Sequence, residues 1–156
     1  MVNGVAAGAG ASLALACDLV IAGKSASFLQ AFSKIGLIPD AGGSWLLVER
    51  LGLPRAMALA MTGDKLTADK AKEWGLIWDV ADDCVAAALA LADKLAVMPT
   101  KALVATRHLL RDAGTRSLDA HLNVERDTQS ALGKTHDYME GVNAFLQKRA
   151  PQFKGE

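Results

Sequence analysis

Apolar residues fall in short runs broken by turn residues over positions 1–80 and take up helical spacing over 81–156. After a glycine-rich start, Ala11 to Ala16 is Ala/Leu-rich and favours a short helix, and Asp18 precedes a β-leaning run, Leu19 to Gly23. Ser25 to Leu29 predicts another brief strand, and the turn residues crowded between Gly36 and Gly43 predict a functional loop. Ser44 to Leu51 predicts a helix stopped at Gly52, after which Pro54 suits the first turn of a helix through Arg55 to Gly63. Thr67 has the character of an N-cap for a helix ending at Gly75, and Leu76 to Val80 predicts an apolar strand. Everything later reads as helix: Cys84 to Val97, Thr100 to Asp112 behind Pro99, Ser117 to Leu132, and a last helix through Phe145 to a stop at Pro151. The order predicts an α/β fold, with strands and helices in layers over 1–80 and a helical region over 81–156.

Composition narrows the class without naming a reaction. The chain is 51% hydrophobic, 22% charged and 5% aromatic, which fits a soluble globular domain. Seventeen Lys+Arg against 17 Asp+Glu leave no net charge, so neither nucleic acid nor an anionic membrane is an expected partner, and the ligand is expected to be small. Cys17 and Cys84 stand far apart with no Cys/His spacing around them, which predicts no metal, no disulfide framework and a reducing cytoplasm. His108, His121 and His136 are scattered through charged helical stretches and read as solvated surface side chains. The opening small-residue run lacks the basic start of a signal peptide and is interrupted by Gly4, Gly8 and Gly10. Charges elsewhere are spaced too closely for a membrane span of about 18 apolar residues. Trp45, Trp74 and Trp78 read as core or interface filler.

Two segments could carry chemistry. Gly4 to Ser12 leads small residues into a helix start, where free amides and the helix dipole suit an anion or a developing oxyanion. The same glycines and alanines also permit close packing of helix on strand. Asp40 lies between Pro39 and Ala41-Gly42-Gly43 and follows apolar Phe32, Leu37 and Ile38, a setting for a general base. An aspartate just before a helix is equally a common N-cap.

Taken in order, Asn3 to Gly23 (NGVAAGAGASLALACDLVIAG) and Ser27 to Leu47 (SFLQAFSKIGLIPDAGGSWLL) resemble the core of the crotonase superfamily, the enoyl-CoA hydratase/isomerase family. Asp137 to Gly155 (DYMEGVNAFLQKRAPQFKG) resembles that family's closing segment. The likeness implies the ClpP/crotonase ββα spiral core, here its second half, followed by a helical C-terminal trimerisation region. It implies an acyl-CoA thioester as ligand, no separate cofactor because coenzyme A arrives with the substrate, and a homotrimer or dimer of trimers.

Carried over residue by residue, the resemblance makes Ala9, between Gly8 and Gly10, the donor of a backbone N–H to the oxyanion of a thioester enolate. The family's other donor belongs to a front half that this chain does not display. The two glutamates with which the hydratases handle water fall at Ser12 and Phe32, neither of them acidic. Asp40 stands where some isomerases carry their acid, and the surrounding residues are most similar to the branch that isomerises a ring-epoxidised phenylacetyl-CoA. The expectation is an isomerase with Asp40 as acid/base, in which Gly8, Gly10, Ser12, Phe32, Leu37, Pro39, Phe145 and Lys148 contact substrate.

Overall fold

Strand β1 (Val5–Ala7), helix α1 (Ala9–Ala16), strand β2 (Ile21–Gly23) and strand β3 (Ser27–Leu29) open the computed structural model, which describes residues 1–156. β1 lies parallel to β3, with Ala6 opposite Phe28, and β3 lies antiparallel to β4 (Lys65–Thr67), with Phe28 opposite Leu66. These three side chains line one face of the small sheet and are buried with Leu15, Leu47 and Leu59. A second pair, β2 with β5 (Asp79–Ala81), is parallel and sets Ala22 opposite Val80.

Helices α2 (Gly43–Leu51) and α3 (Leu53–Thr62) are joined by Gly52, whose φ of 71° ends one and starts the other. Helix α4 (Ala68–Glu73) begins as expected at Thr67, whose hydroxyl accepts the Lys70 amide at 3.4 Å. It ends in a Schellman arrangement: Gly75 is left-handed at φ 82°, its amide meets the Lys72 carbonyl at 3.0 Å, and the Leu76 amide meets that of Ala71 at 2.8 Å. The expected strand over Leu76–Val80 therefore begins only at Asp79, because Leu76 and Ile77 plug the core behind α4. Strands β1 and β4, three residues each, have no counterpart in the sequence reading.

The chain divides into compact units Met1–Ala90 and Leu91–Glu156, with the boundary inside α5 (Cys84–Ala96). The second unit adds α6 (Thr100–Asp112), α7 (Leu118–Leu132) and α8 (His136–Leu146), with Ser117 and Thr135 capping the last two. Helix α8 stops well before Pro151, because Lys148 turns left-handed at φ 53° and the Arg149 amide returns to the Ala144 carbonyl at 3.0 Å. His121 is not the solvated side chain expected: it is 14% exposed, and its Nδ1 is buried with no partner. No helix is long and apolar enough to cross a membrane.

One side chain fastens the first unit. From α2, the Arg50 guanidinium donates to the carbonyls of Leu15 (2.7 Å) and Cys17 (2.7 Å) at the end of α1, and to that of Leu76 (3.0 Å). It neutralises the carbonyl end of α1 and ties three separate segments together. Replacing Arg50 by Met keeps the aliphatic stem but leaves those carbonyls short of a donor, so unfolding free energy is expected to fall by about 2–4 kcal/mol. Urea denaturation followed by fluorescence of the three tryptophans, all in this unit, measures the change. A loss under about 0.5 kcal/mol, the scale of a neutral surface substitution, would contradict the fastening role.

Candidate active site

The site is built at the turn from β1 into α1. Gly8 holds φ 53° and ψ −128°, a conformation open to glycine and strained for other residues. Its amide donates to the Leu29 carbonyl at 2.8 Å, and its carbonyl accepts the Ser12 amide at 3.1 Å and the Ser12 hydroxyl at 3.4 Å. The buried Phe32 ring closes the other side, 3.4 Å from where a Cβ on Gly8 would stand. Helix α1 then starts at Ala9 with neither a side-chain cap nor an acidic residue in its first turn. The leading amides of such a helix have no acceptor within it. Ala9 and Gly10 are exposed, and nothing lies within 4 Å of where a Cβ on Gly10 would be. An anionic oxygen has room there.

Asp40 reaches this neighbourhood from a second turn. A 3-10 helix (Ala31–Ile35) carrying Phe32 ends at left-handed Gly36, and Leu37 and Ile38 follow, 59% and 81% exposed. Ala41 (φ 48°) and Gly42 (φ 77°) are then both left-handed, and the Gly43 amide donates to the backbone carbonyl of Asp40 at 2.8 Å. That is the pattern of a type I′ turn. The N-cap of α2 is Gly42, with no side-chain cap, so the capping alternative for Asp40 is set aside. The Asp40 carboxylate is exposed and has no hydrogen-bond or ion-pair partner within the chain. A Cβ on Gly43 would strike the Ser12 hydroxyl and stand 3.6 Å from Pro39, which sets the Asp40 turn against α1.

Ser12 is fully buried in this contact, and Phe32 packs under Gly8, so both positions that could hold a second acid are filled by inward-facing neutral side chains. Local pattern did not single out Ala41; its only signal was the run of small residues after Pro39.

Phe145 and Lys148 belong to the second unit, where Phe145 is 83% exposed at the end of α8 and Lys148 is the left-handed residue that stops it. Two carboxylates of α8 draw the following residues back. Glu140 accepts from the two terminal guanidinium nitrogens of Arg149 (2.5 and 2.8 Å) and from the Gln152 amide (2.8 Å). Asp137, 4% exposed, takes the amides of Lys154 (2.7 Å) and Gly155 (2.8 Å). Phe153 lies over Gly141, where a Cβ would come within 3.6 Å of its ring. Burial works against the charged form of Asp137, but the two amides and His136 outweigh it and hold the carboxyl below its usual range. Arg149 and the Gln152 amide pull Glu140 down to about 2.

Over residues 1–156 the chain matches the family described as enoyl-CoA hydratase/isomerase. This chain belongs to the enoyl-CoA hydratase/isomerase family. It is 54% identical to the 1,2-epoxyphenylacetyl-CoA isomerase of Escherichia coli over 99% of this chain and 60% of that protein. It is 42% identical to the 2,3-dehydroadipyl-CoA hydratase of the same organism, over 99% of this chain and 61% of that one. Among solved structures, the enoyl-CoA hydratase from Polaromonas sp. JS666 superposes with a TM-score of 0.93 at 39% identity, covering 97% of this chain and 60% of that one. The family's crotonase fold is thus the fold of these residues, and the chain spans about 60% of the length of the relatives it matches.

Within this member of the enoyl-CoA hydratase/isomerase family, the closing segment holds itself in place through Glu140 and Asp137. Because Glu140 is pulled from 4.5 to about 2 in the folded chain, its stabilising contribution is complete above about pH 4.5 and is lost as pH falls towards 2. Thermal midpoints measured between those limits should fall more steeply for the wild type than for Glu140→Gln. Parallel curves would show that Glu140 does not hold the segment.

Proposed function

We propose that these residues serve an acyl-CoA isomerase in which the Ala9 amide holds the thioester oxygen and Asp40 moves the proton. The observation that carries the reading is the lone carboxylate of Asp40, exposed and unpartnered on a turn packed against α1 through Ser12 and Gly43. In a double-bond shift the carboxylate takes the C2 proton of a 3-enoyl-CoA. The electron pair of that C–H bond delocalises onto the thioester oxygen, and the new carboxylic acid returns the proton at C4, leaving a 2-enoyl-CoA. No water and no redox partner are consumed. A preorganised amide at the developing oxyanion is worth about a hundredfold or more in rate. Isomerisation of an epoxidised phenylacetyl-CoA uses the same thioester anchor and is the finer form of the proposal, supported by the 54% identity to an isomerase of that name.

Hydration is the alternative, favoured by the relatives named as hydratases. It would need a base to activate water, and Ser12 is fully buried with its hydroxyl on the Gly8 carbonyl. A non-catalytic module of the same fold is the second alternative. A homotrimer or dimer of trimers is part of the proposal, supported by exposed Val142, Phe145 and Leu146 on α8.

Because the chain spans about 60% of its relatives, the assay uses the 156 residues and, in parallel, the same residues joined to the front portion of a relative. Conversion of 3-enoyl-CoA to 2-enoyl-CoA supports the isomerase, formation of 3-hydroxyacyl-CoA the hydratase, and no turnover in either form the non-catalytic module. In the active form, Asp40→Asn should cost about a hundredfold to ten-thousandfold in isomerisation, with thermal midpoint and acyl-CoA affinity nearly unchanged. A retained rate would remove Asp40 from the mechanism.

A further inference from the structure

Asp40 stands in register to cap α2, yet it does not. Were Ala41 and Gly42 right-handed, the helix would begin at Ala41, and the Asp40 carboxylate would accept the amides of Gly42 or Gly43, as N-cap aspartates do. Instead the Gly43 amide is taken by the Asp40 carbonyl at 2.8 Å, and the carboxylate is left with no partner. A right-handed turn makes the same amide–carbonyl bond; what takes the helix start away from the carboxylate is that both intervening residues are left-handed. Gly42 adopts that conformation freely, whereas Ala41, at φ 48°, is disfavoured there by its Cβ.

Its neighbours hold it in place. Pro39 stiffens the backbone just before the turn, Gly43 is set directly on the Ser12 hydroxyl, and Arg50 pins the far end of α2 to the carbonyls of Leu15 and Cys17. With both ends of the helix held, the left-handed turn is favoured over a helix begun two residues earlier.

We infer that Ala41 is a positioning residue: its left-handed backbone keeps the Asp40 carboxylate from being spent as a helix cap and holds it free to take and return a proton. This rests on the proposed reading of Asp40 as the acid/base. A residue strained by accident would leave kcat untouched in any variant that stays folded. A positioning residue ties kcat to the left-handed preference at position 41.

The test uses the active form of the protein, with kcat and KM for a 3-enoyl-CoA and the thermal midpoint measured together. Ala41→Val, branched at Cβ, disfavours the left-handed region further and so favours a right-handed, capped turn; its KM should be unchanged and its kcat lower by about tenfold. Ala41→Gly, which enters the left-handed region freely, should keep its kcat with a midpoint unchanged or a few degrees higher. Ala41→Asn, a residue that tolerates the left-handed region, should keep kcat within about twofold of the wild type. Full kcat in folded Ala41→Val, or a tenfold loss in Ala41→Gly, would overturn the inference. Asp40→Asn, run beside them, separates the two levels. If that variant keeps its rate, the reading of Asp40 has failed; if it is inactive while Ala41→Val is fully active, only the role of Ala41 has failed.

Discussion

Helices α1 and α2 meet with no more than a hydroxyl between them, at Ser12 and Gly43. At that distance no side chain fits on the first residue of α2, and the chain enters the helix through the left-handed pair Ala41-Gly42. On the other side of Ser12 the constraint is one of backbone: Gly8, at φ 53° and ψ −128°, lets α1 begin directly after β1 with the Phe32 ring packed beside it. The first amides of α1 are free because a helix start without a side-chain cap leaves them so, and the Asp40 carboxylate is free because its turn is left-handed.

Such an arrangement gives up stability where it stands. A left-handed alanine costs about 1–2 kcal/mol and a forgone helix cap about 1. Charge-assisted hydrogen bonds contribute about 1.5–3 kcal/mol each, so the three that Arg50 makes within the same unit are of the size needed to offset it. The second unit uses the same device with opposite charge: Asp137 and Glu140 collect backbone amides as Arg50 collects carbonyls. The residues that make the closing motif recognisable, Glu140, Gly141, Arg149 and Phe153, are thereby accounted for by how the segment holds itself.

Much of the architecture was legible because its punctuation is local. Thr67 and Ser117 cap as their chemistry predicts, Gly52 and Gly63 end helices, and Pro54 lies in the first turn of α3. Strands β1 and β4 escaped because three residues of alternation are too short to register, and Leu76-Ile77 read as strand because a buried apolar run looks the same in either role. Arg50 was invisible for a different reason: its acceptors lie 26 to 35 residues away, and no spacing announces them. Asp40 was found, with capping left open beside catalysis. What separates the two is the φ of Ala41, a property that tertiary packing imposes against the preference of the residue.

The central claim is that Asp40 exchanges a proton with a carbon acid whose enolate oxygen rests on the amide of Ala9. Deuterium incorporation at C2 of a bound acyl-CoA in heavy water measures that step without requiring a complete double-bond shift. The account predicts incorporation catalysed by the wild type and slowed about a hundredfold or more in Asp40→Asn, with the variant still binding the thioester. Incorporation at the wild-type rate in Asp40→Asn would contradict it.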